Sequence, residues 1–426
     1  MRALLLVLAC TAALAACGRS EAPTATSAAK IDPAQPHVRS DWPLPVTDGA
    51  MAPDLRLAPD GRLLLSWISR QPGRRDAVQF AAYLDNRWDN LPKTVAVGTA
   101  LVANWADTPH IAATADGALW MHWLQKSGDA AHAYDVWLTT SRNAGVNWDP
   151  PVRVHDDGTA TEHGFVSLWP ADRNTLGIAW LDGRNTGGGH GHGGAEEAGH
   201  AGGAMTLRAA RFDYRLQRQG EAELDAMTCD CCQTDVAMTA RGPLLAYRGR
   251  DAAEIRDILA TRFANDAWTA PRKVHDDQWT MPACPVNGPA VAAQGNDVVV
   301  GWYTEAGGGP RVRVAVSRDA GESFAAPVDV ATGAAQLGRV DVALDGGQAL
   351  VAWLEEDAGG QRLQLARYSR DLGRQLQQVE VAKLQGRGRG TGFPKLALRD
   401  GVAYLAWTDL VDGRPQLQGA RFAPAR

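Results

Sequence analysis

Apolar and polar residues alternate at period two along most of the chain, in short runs that end at Gly, Asn or Asp turns. One unit recurs: a small residue or Pro, alternating apolars, an Asp-Gly-like turn, an apolar run, and Trp. It spans Pro53–Trp67, Pro109–Trp123, Phe165–Trp180, Asp235–Tyr247 (Tyr for Trp), Pro289–Trp302, Val340–Trp353 and Pro394–Trp407, with ends 51–67 residues apart. Each copy predicts a β-hairpin, and seven copies predict a repeat architecture. A third strand such as Val312–Val316 follows. Then comes an aromatic residue, a nearby Pro and a last strand, as in Trp88–Val95, Trp148–Val154, Trp268–Val274 and Phe324–Val330. Trp42–Val46 carries the same ending with no strands before it, while the seventh unit stops after Gln416–Phe422. Ring closure explains both, because an N-terminal strand that completes the last sheet removes the open edges of a linear array. The expected fold is all-β, a single β-propeller of seven four-stranded blades closed by the N-terminal strand. Six blades plus an insertion is the alternative.

Composition supports the turns and excludes one partner class. The chain has 426 residues, 45 Gly and 15 Trp, and a net charge of -5 with dispersed basic residues. No nucleic-acid footprint is present. The N-terminus is a processing signal: Arg2, an apolar run over 3–13, then Leu14-Ala15-Ala16-Cys17, which resembles a bacterial lipobox. Residues 1–16 are thus expected to be a signal peptide. Residues 17–37 form a Ser/Ala/Thr/Pro linker lipidated at Cys17, and 38–426 form the propeller. Gly18 after Cys17 resembles a sorting signal for the outer membrane. The expected location is the bacterial cell envelope, lipid-anchored and facing the periplasm, as a monomer.

The turn after the third strand repeats as Ser317-Arg318-Asp319-Ala320-Gly321-Glu322-Ser323-Phe324. Relatives are Ser141-Arg142-Asn143-Ala144-Gly145-Val146-Asn147-Trp148 and Ser369–Leu376. These resemble the Asp-box of BNR-repeat, sialidase-like propellers. Asp or Asn accepts backbone N–H bonds there, and Gly takes the positive-φ position. The box is structural and carries no catalytic implication. The resemblance weakens at the active site, because Arg-Ile-Pro is absent and blade 1 opens Ala52-Pro53-Asp54-Leu55-Arg56. Tyr303 with Glu305 imitates the family's Tyr/Glu pair at a spacing that chance supplies. The chain more closely resembles envelope proteins loosely labelled "sialidase family" that share its Cys-x-Cys-Cys and Cys-Pro-Val-Asn-Gly-Pro segments.

Propeller topology sends the blade links and the loops between second and third strands to one face, called here the first face. Cys229, Cys231, Cys232 and Cys284 belong there. In an oxidising envelope they suit disulfides, with Cys231 and Cys232 taking different partners. With His275 they suit Cu or Zn, and a redox-active pair is the third option. Arg248, Arg250, Asp251, Glu254, Arg256 and Asp257 form an ion-pair lattice or a site for an anionic ligand. Arg339, Arg389, His163 and Asp107 face the same channel. His190, His192 and His200 lie in a Gly-rich stretch whose composition suits either a metal or nothing. The leading expectation is a propeller that binds a ligand, carbohydrate or envelope protein on this face and is not a true sialidase. The alternatives are a divergent glycoside hydrolase and a copper- or zinc-handling protein.

Overall fold

The computed structural model describes residues 35–46, 48–89, 91–187 and 203–425, so Cys17, the leader, His190, His192 and His200 lie outside the described residues. Seven antiparallel sheets follow one another along the chain. Blade 1 begins with the hairpin Ala50–Leu57 and Leu63–Gln71, and blade 2 with Ile111–Ala113 and Leu119–Lys126. Blades 3 to 6 begin at His163, Asp235, Ala290 and Gln336. In blade 7, Lys395–Arg399, Val402–Val411 and Arg414–Pro424 are completed by His37–Asp41, with His37 opposite Pro424 and Asp41 opposite Ala420. The ring therefore closes as the unpaired N-terminal strand required. The seven-blade count holds and the six-blade alternative does not.

Each second strand buries its aromatic residue at the interface with a neighbouring blade. Trp67, Trp180, Trp302 and Trp353 are among the largest fully buried side chains, as is Tyr247, which replaces Trp in blade 4, and Trp123 and Trp407 are buried as well. Hydrophobic clusters sit between consecutive blades, so the core is divided among the interfaces around the ring. The outer strands are short or broken, Arg87–Trp88 then Lys93–Gly98 in blade 1 and Val152–Arg153 in blade 2. Pro92 and Pro151 stand next to these breaks and have no N–H to give a ladder.

The turns after the third strands have the expected local bonding. Asp319 Oδ1 accepts the Ser323 N–H at 2.9 Å, and the Ser317 hydroxyl oxygen accepts the Gly321 N–H at 2.9 Å. Asn143 and Ser141 repeat both bonds with Asn147 and Gly145. Gly145 has φ +79° and lies against the Phe80 ring, where a Cβ would collide.

At the centre, carboxylates of alternate blades clamp the next blade. Asp107 accepts the Phe165 N–H at 2.7 Å, Asp235 the Val291 N–H at 2.8 Å, and Asp341 the Leu396 N–H at 2.7 Å. Arg56 of blade 1 reaches across the axis to Asp235 of blade 4, and it also holds Asp54. A cavity of about 70 Å³ remains, lined by these groups with His110, Gln233 and Lys395. The axis is a charged plug, not an open pore.

Candidate functional site

The cysteines and the Arg/carboxylate lattice meet on the first face as topology required, but most of their polar capacity is internal. Arg248 is buried and gives its guanidinium to the carbonyls of Asn287, Arg256 and Tyr303 at 2.9, 2.6 and 2.7 Å. It also stacks over Trp279. Arg250 and Arg256 share Glu254 at 2.6 and 2.8 Å, and Arg250 also reaches Asp230 at 3.4 Å. Asp251 caps a turn through the Ala253 and Ile255 N–H groups, and Asp257 pairs with Lys273 at 2.8 Å. Arg339 bonds to Thr391, Gly392 and Gly388 and lies over Trp105, which Arg389 also faces. The lattice fastens loops to one another. Tyr303 donates to Glu305 at 2.5 Å, so that pair forms as well.

Cys231 and Cys284 form a disulfide with Cα atoms 6.0 Å apart, so the two adjacent cysteines are not bonded to each other. Cys229 and Cys232 are buried thiols. The Cys229, Cys231 and Cys232 sulfurs lie within 4.8 Å of one another, poised for a metal ion once the disulfide is reduced. Burial pushes the Cys229 thiol up. The Cys232 thiol and the Arg256 and Arg248 guanidiniums overcome this and bring it down to about 7. His275 stays partly exposed, 3.8 Å from Asp277.

A second assembly lies where blade 2 meets blade 3, and most of it escaped the sequence reading. Its first part joins Asp107, which lines the axial cavity, to Tyr134 and Glu162 in the interface. Tyr134, the first residue of its strand, donates to Glu162 Oε1 at 2.6 Å, and His132 lies 3.7 Å from the other oxygen. Asp107 stands beside them: a Cβ on Gly164 would strike Asp107 Oδ2 and would meet Tyr134 Cε2 at 3.2 Å. Glycine at 164 is what lets the carboxyl and the phenol ring converge. Asp107 Oδ1 is buried without a hydrogen-bond partner. Burial, opposed by the Phe165 N–H and reinforced by Glu162, pushes the Asp107 carboxyl up to about 8. Burial likewise pushes Glu162 up to about 7.

The second part lies next to the first along the chain, and within the strand Tyr134–Ser141 the adjacent residues Tyr134 and Asp135 face opposite ways. Asp135 and His163 are the neighbours of Tyr134 and Glu162. The His155 and His163 rings stack with centroids 3.6 Å apart and planes 9° apart. At one edge Asp157 Oδ2 lies 2.7 Å from His155 Nδ1 and 3.1 Å from His163 Nε2. At the other edge Asp135 Oδ1 lies 3.6 Å from His155 Nε2 and 4.0 Å from His163 Nδ1. Asp182 stands 3.6 Å from His163 Nε2 and is held by Arg184. These His, Asp and Cys groups are positioned to coordinate a metal ion. Of them, His163 and the cysteines were singled out from sequence. The missed signal is a duplication, Val154-His155-Asp156-Asp157 and Val274-His275-Asp276-Asp277, at equivalent ends of blades 2 and 4.

No family model matches the chain, and no curated protein matches it. Solved structures do. A protein of unknown function from Dyadobacter fermentans is similar at TM-score 0.51 and 12% identity, covering 91% of this chain and 98% of that one. Polysaccharide lyase Uly1 is similar at TM-score 0.50 and 8% identity, covering 88% of this chain and 90% of that one. The NanB sialidase of Streptococcus pneumoniae is similar at 0.47 and 7%, covering 85% and 83%. At these identities the likeness is one of fold alone, that of a β-propeller.

Proposed function

We propose that the chain is a lipid-anchored envelope enzyme that cleaves glycosidic bonds of a polysaccharide on its first face, divergent from the sialidases whose Asp-box turns it resembles. The convergence of Asp107, Tyr134 and Glu162 carries this reading. A protonated carboxyl, a phenol and a carboxyl group behind that phenol form one set of groups able to cleave a glycosidic bond, the carboxyl as acid and the phenol as nucleophile. Asp107 lines the channel cavity and remains a proton donor at neutral pH. Tyr134 is the group that meets the sugar, and Glu162 takes the phenolic proton as the oxygen engages. Tyr134 and Glu162 are buried, and the partly exposed His132 stands 3.7 Å from Glu162.

Arg248 and Arg339 offer no grip for a sialate carboxylate. Gripping a sialate carboxylate takes free guanidiniums, and those of Arg248 and Arg339 are bound to protein carbonyls and a hydroxyl. A neutral or uronate-bearing polysaccharide fits better, and the fold relative Uly1 is named a polysaccharide lyase. The test is cleavage of a panel of sialosides, neutral glycans and polyuronates by the mature protein, read as new reducing ends and as ultraviolet absorbance of unsaturated products. Asp107→Asn, Tyr134→Phe and Glu162→Gln should each abolish cleavage while circular dichroism stays unchanged. A panel with no cleaved member, or variants as active as the parent, defeats the proposal.

A further inference from the structure

We propose that Cys229 and Cys232 are a redox-active dithiol that passes its electron pair to external disulfides through the Cys231–Cys284 bond, with Cys284 as the outer end. This site is separate from the glycan reading and stands if that reading falls.

The four cysteines run from core to surface. Cys229, Cys231 and Cys232 are buried in the hydrophobic cluster that also holds Leu207 of blade 3 and Leu245 of blade 4. Cys284 packs against that cluster but is only partly buried, and Pro282 and Ala283 before it are exposed. The Cys229, Cys231 and Cys232 sulfurs lie within 4.8 Å of one another. A side-chain movement of about 1 Å brings such atoms to the ~3.5 Å of a near-attack contact. Two thiols thus stand beside the inner sulfur of a disulfide whose other sulfur is the more accessible.

Exchange needs a thiolate, and the surroundings of Cys229 supply the charge that stabilises one. Arg256 donates through Nε to the Met281 carbonyl at 2.7 Å and through Nη2 to Glu254 at 2.8 Å. Its Nη1 is buried and has no acceptor among those groups. The Cys229 sulfur is within reach of this guanidinium, so ionising Cys229 gives the buried N–H an anion to face. Burial opposes that charge, but the Cys232 thiol and the Arg256 and Arg248 guanidiniums bring Cys229 down to about 7. A thiol that titrates near ambient pH is the best attacking group. Cys232 is pushed the other way by burial and by the Cys229 sulfur, and it keeps its proton until Cys229 has reacted. The pair therefore divides into an attacking and a resolving thiol.

The disulfide can open without letting its loops part, because other contacts hold them together. Arg248 donates to the Asn287 carbonyl at 2.9 Å, and Arg256 holds the Met281 carbonyl on the other side of Cys284. Gln233 Oε1 accepts the Gly288 N–H at 2.9 Å. A Cβ on Gly288 would lie 2.0 Å from the Gln233 carbonyl oxygen, so the two backbones touch there. Cys284 stays near Cys231 after the bond breaks.

The electron pair then moves by successive exchanges. The Cys229 thiolate attacks Cys231 Sγ, and Cys284 leaves as a thiolate. Cys284 attacks an external disulfide, forming a mixed disulfide and releasing one external thiolate. Cys232 attacks Cys229 Sγ and frees the Cys231 thiolate. Cys231 attacks Cys284 Sγ, restores the original bond and expels the second external thiolate. The protons of Cys229 and Cys232 end on the two released thiols. In sum the dithiol is oxidised to a Cys229–Cys232 disulfide, and one external disulfide is reduced to two thiols.

The experiment uses the full mature chain with oxidised glutathione as the probe, after one equivalent of dithiothreitol if the chain is isolated without free thiols. The folded parent should release two glutathione thiols per chain. Peptide mapping should then find Cys229–Cys232 beside Cys231–Cys284, with Cys17 kept apart by its own peptide. The rate should rise with pH through about 7, following the Cys229 thiolate. Cys229→Ser, which keeps the existing disulfide, and Cys284→Ser should each slow release about tenfold or more. A folded parent that releases no glutathione overturns the proposal and leaves two inert buried thiols. Either variant reacting as fast as the parent overturns it too. If Cys284→Ser does not fold, acid quenching of the parent decides: glutathione trapped on Cys284 supports the relay, and glutathione on Cys229 or Cys232 instead sinks it.

Discussion

The Arg56 guanidinium of blade 1 meets the Asp235 carboxylate of blade 4 at 3.1 Å across the propeller axis. The same guanidinium holds Asp54, whose side chain is fully buried. Arg56 thus neutralises two carboxylates from opposite sides of the ring. Arg56→Met should leave both without a cation and lower unfolding stability by about 3 kcal/mol. The urea midpoint measures this. A variant as stable as the parent would mean that the axial carboxylates find another cation, with Lys395 a candidate in the cavity lining.

Asp107 predicts a pH dependence. The folded state holds its carboxyl proton up to about pH 8, whereas the unfolded chain releases it near pH ~4. The folded state therefore binds more protons in that window, and stability falls as pH rises through it. Asp341, pushed up to about 6 by burial and the Asp235 charge against the pull of Lys395, adds to the lower part of the window. Asp107→Asn should flatten the upper part, seen as a melting temperature that varies less between neutral and mildly alkaline buffer. An unchanged slope would mean that Asp107 ionises in the fold.

Gly164 is a test of space. Its φ is not in the left-handed region, so any residue could adopt its backbone, but a Cβ there would drive Asp107 and Tyr134 apart. Gly164→Ala should cost about 2 kcal/mol by overpacking and abolish cleavage. Gly158→Ala, where nothing lies within 4 Å, provides the contrast, since it should lose stability through its φ of +75° while keeping activity.

The Cys231–Cys284 disulfide closes 53 residues, a loop for which chain entropy predicts about 4 kcal/mol at most. Cys284→Ser should destabilise by about 2–4 kcal/mol, read from the urea midpoint. Thiol titration of the denatured mature parent should find the Cys229 and Cys232 thiols only. No titratable thiols would show that those two are oxidised as well.

Legibility differed between fold and site for a physical reason. Blade count, hairpins and ring closure follow from period-two alternation and from the recurrence of Trp67, Trp180 and Trp353, because each blade must bury the same face against its neighbour. The face carrying Cys229 and Arg248 also follows, since topology alone assigns loops to faces. The role of Arg248 does not, because whether a guanidinium meets a ligand or three carbonyls depends on how neighbouring loops pack.

The sequence by itself determined a seven-bladed ring closed by an N-terminal strand, since strand period, turns and incomplete end units are local properties, but the strand that pairs is His37–Asp41, just before the Trp42–Val46 segment that carries the repeated ending. Only the tertiary structure decided that Asp107, Tyr134 and Glu162 converge, and that Asp135, His155 and His163 share one interface. These residues come from three segments that periodicity treats as independent. Blade-to-blade packing sets their distances, and ligand and proton chemistry depend on differences of a few tenths of an ångström that no spacing along the chain encodes.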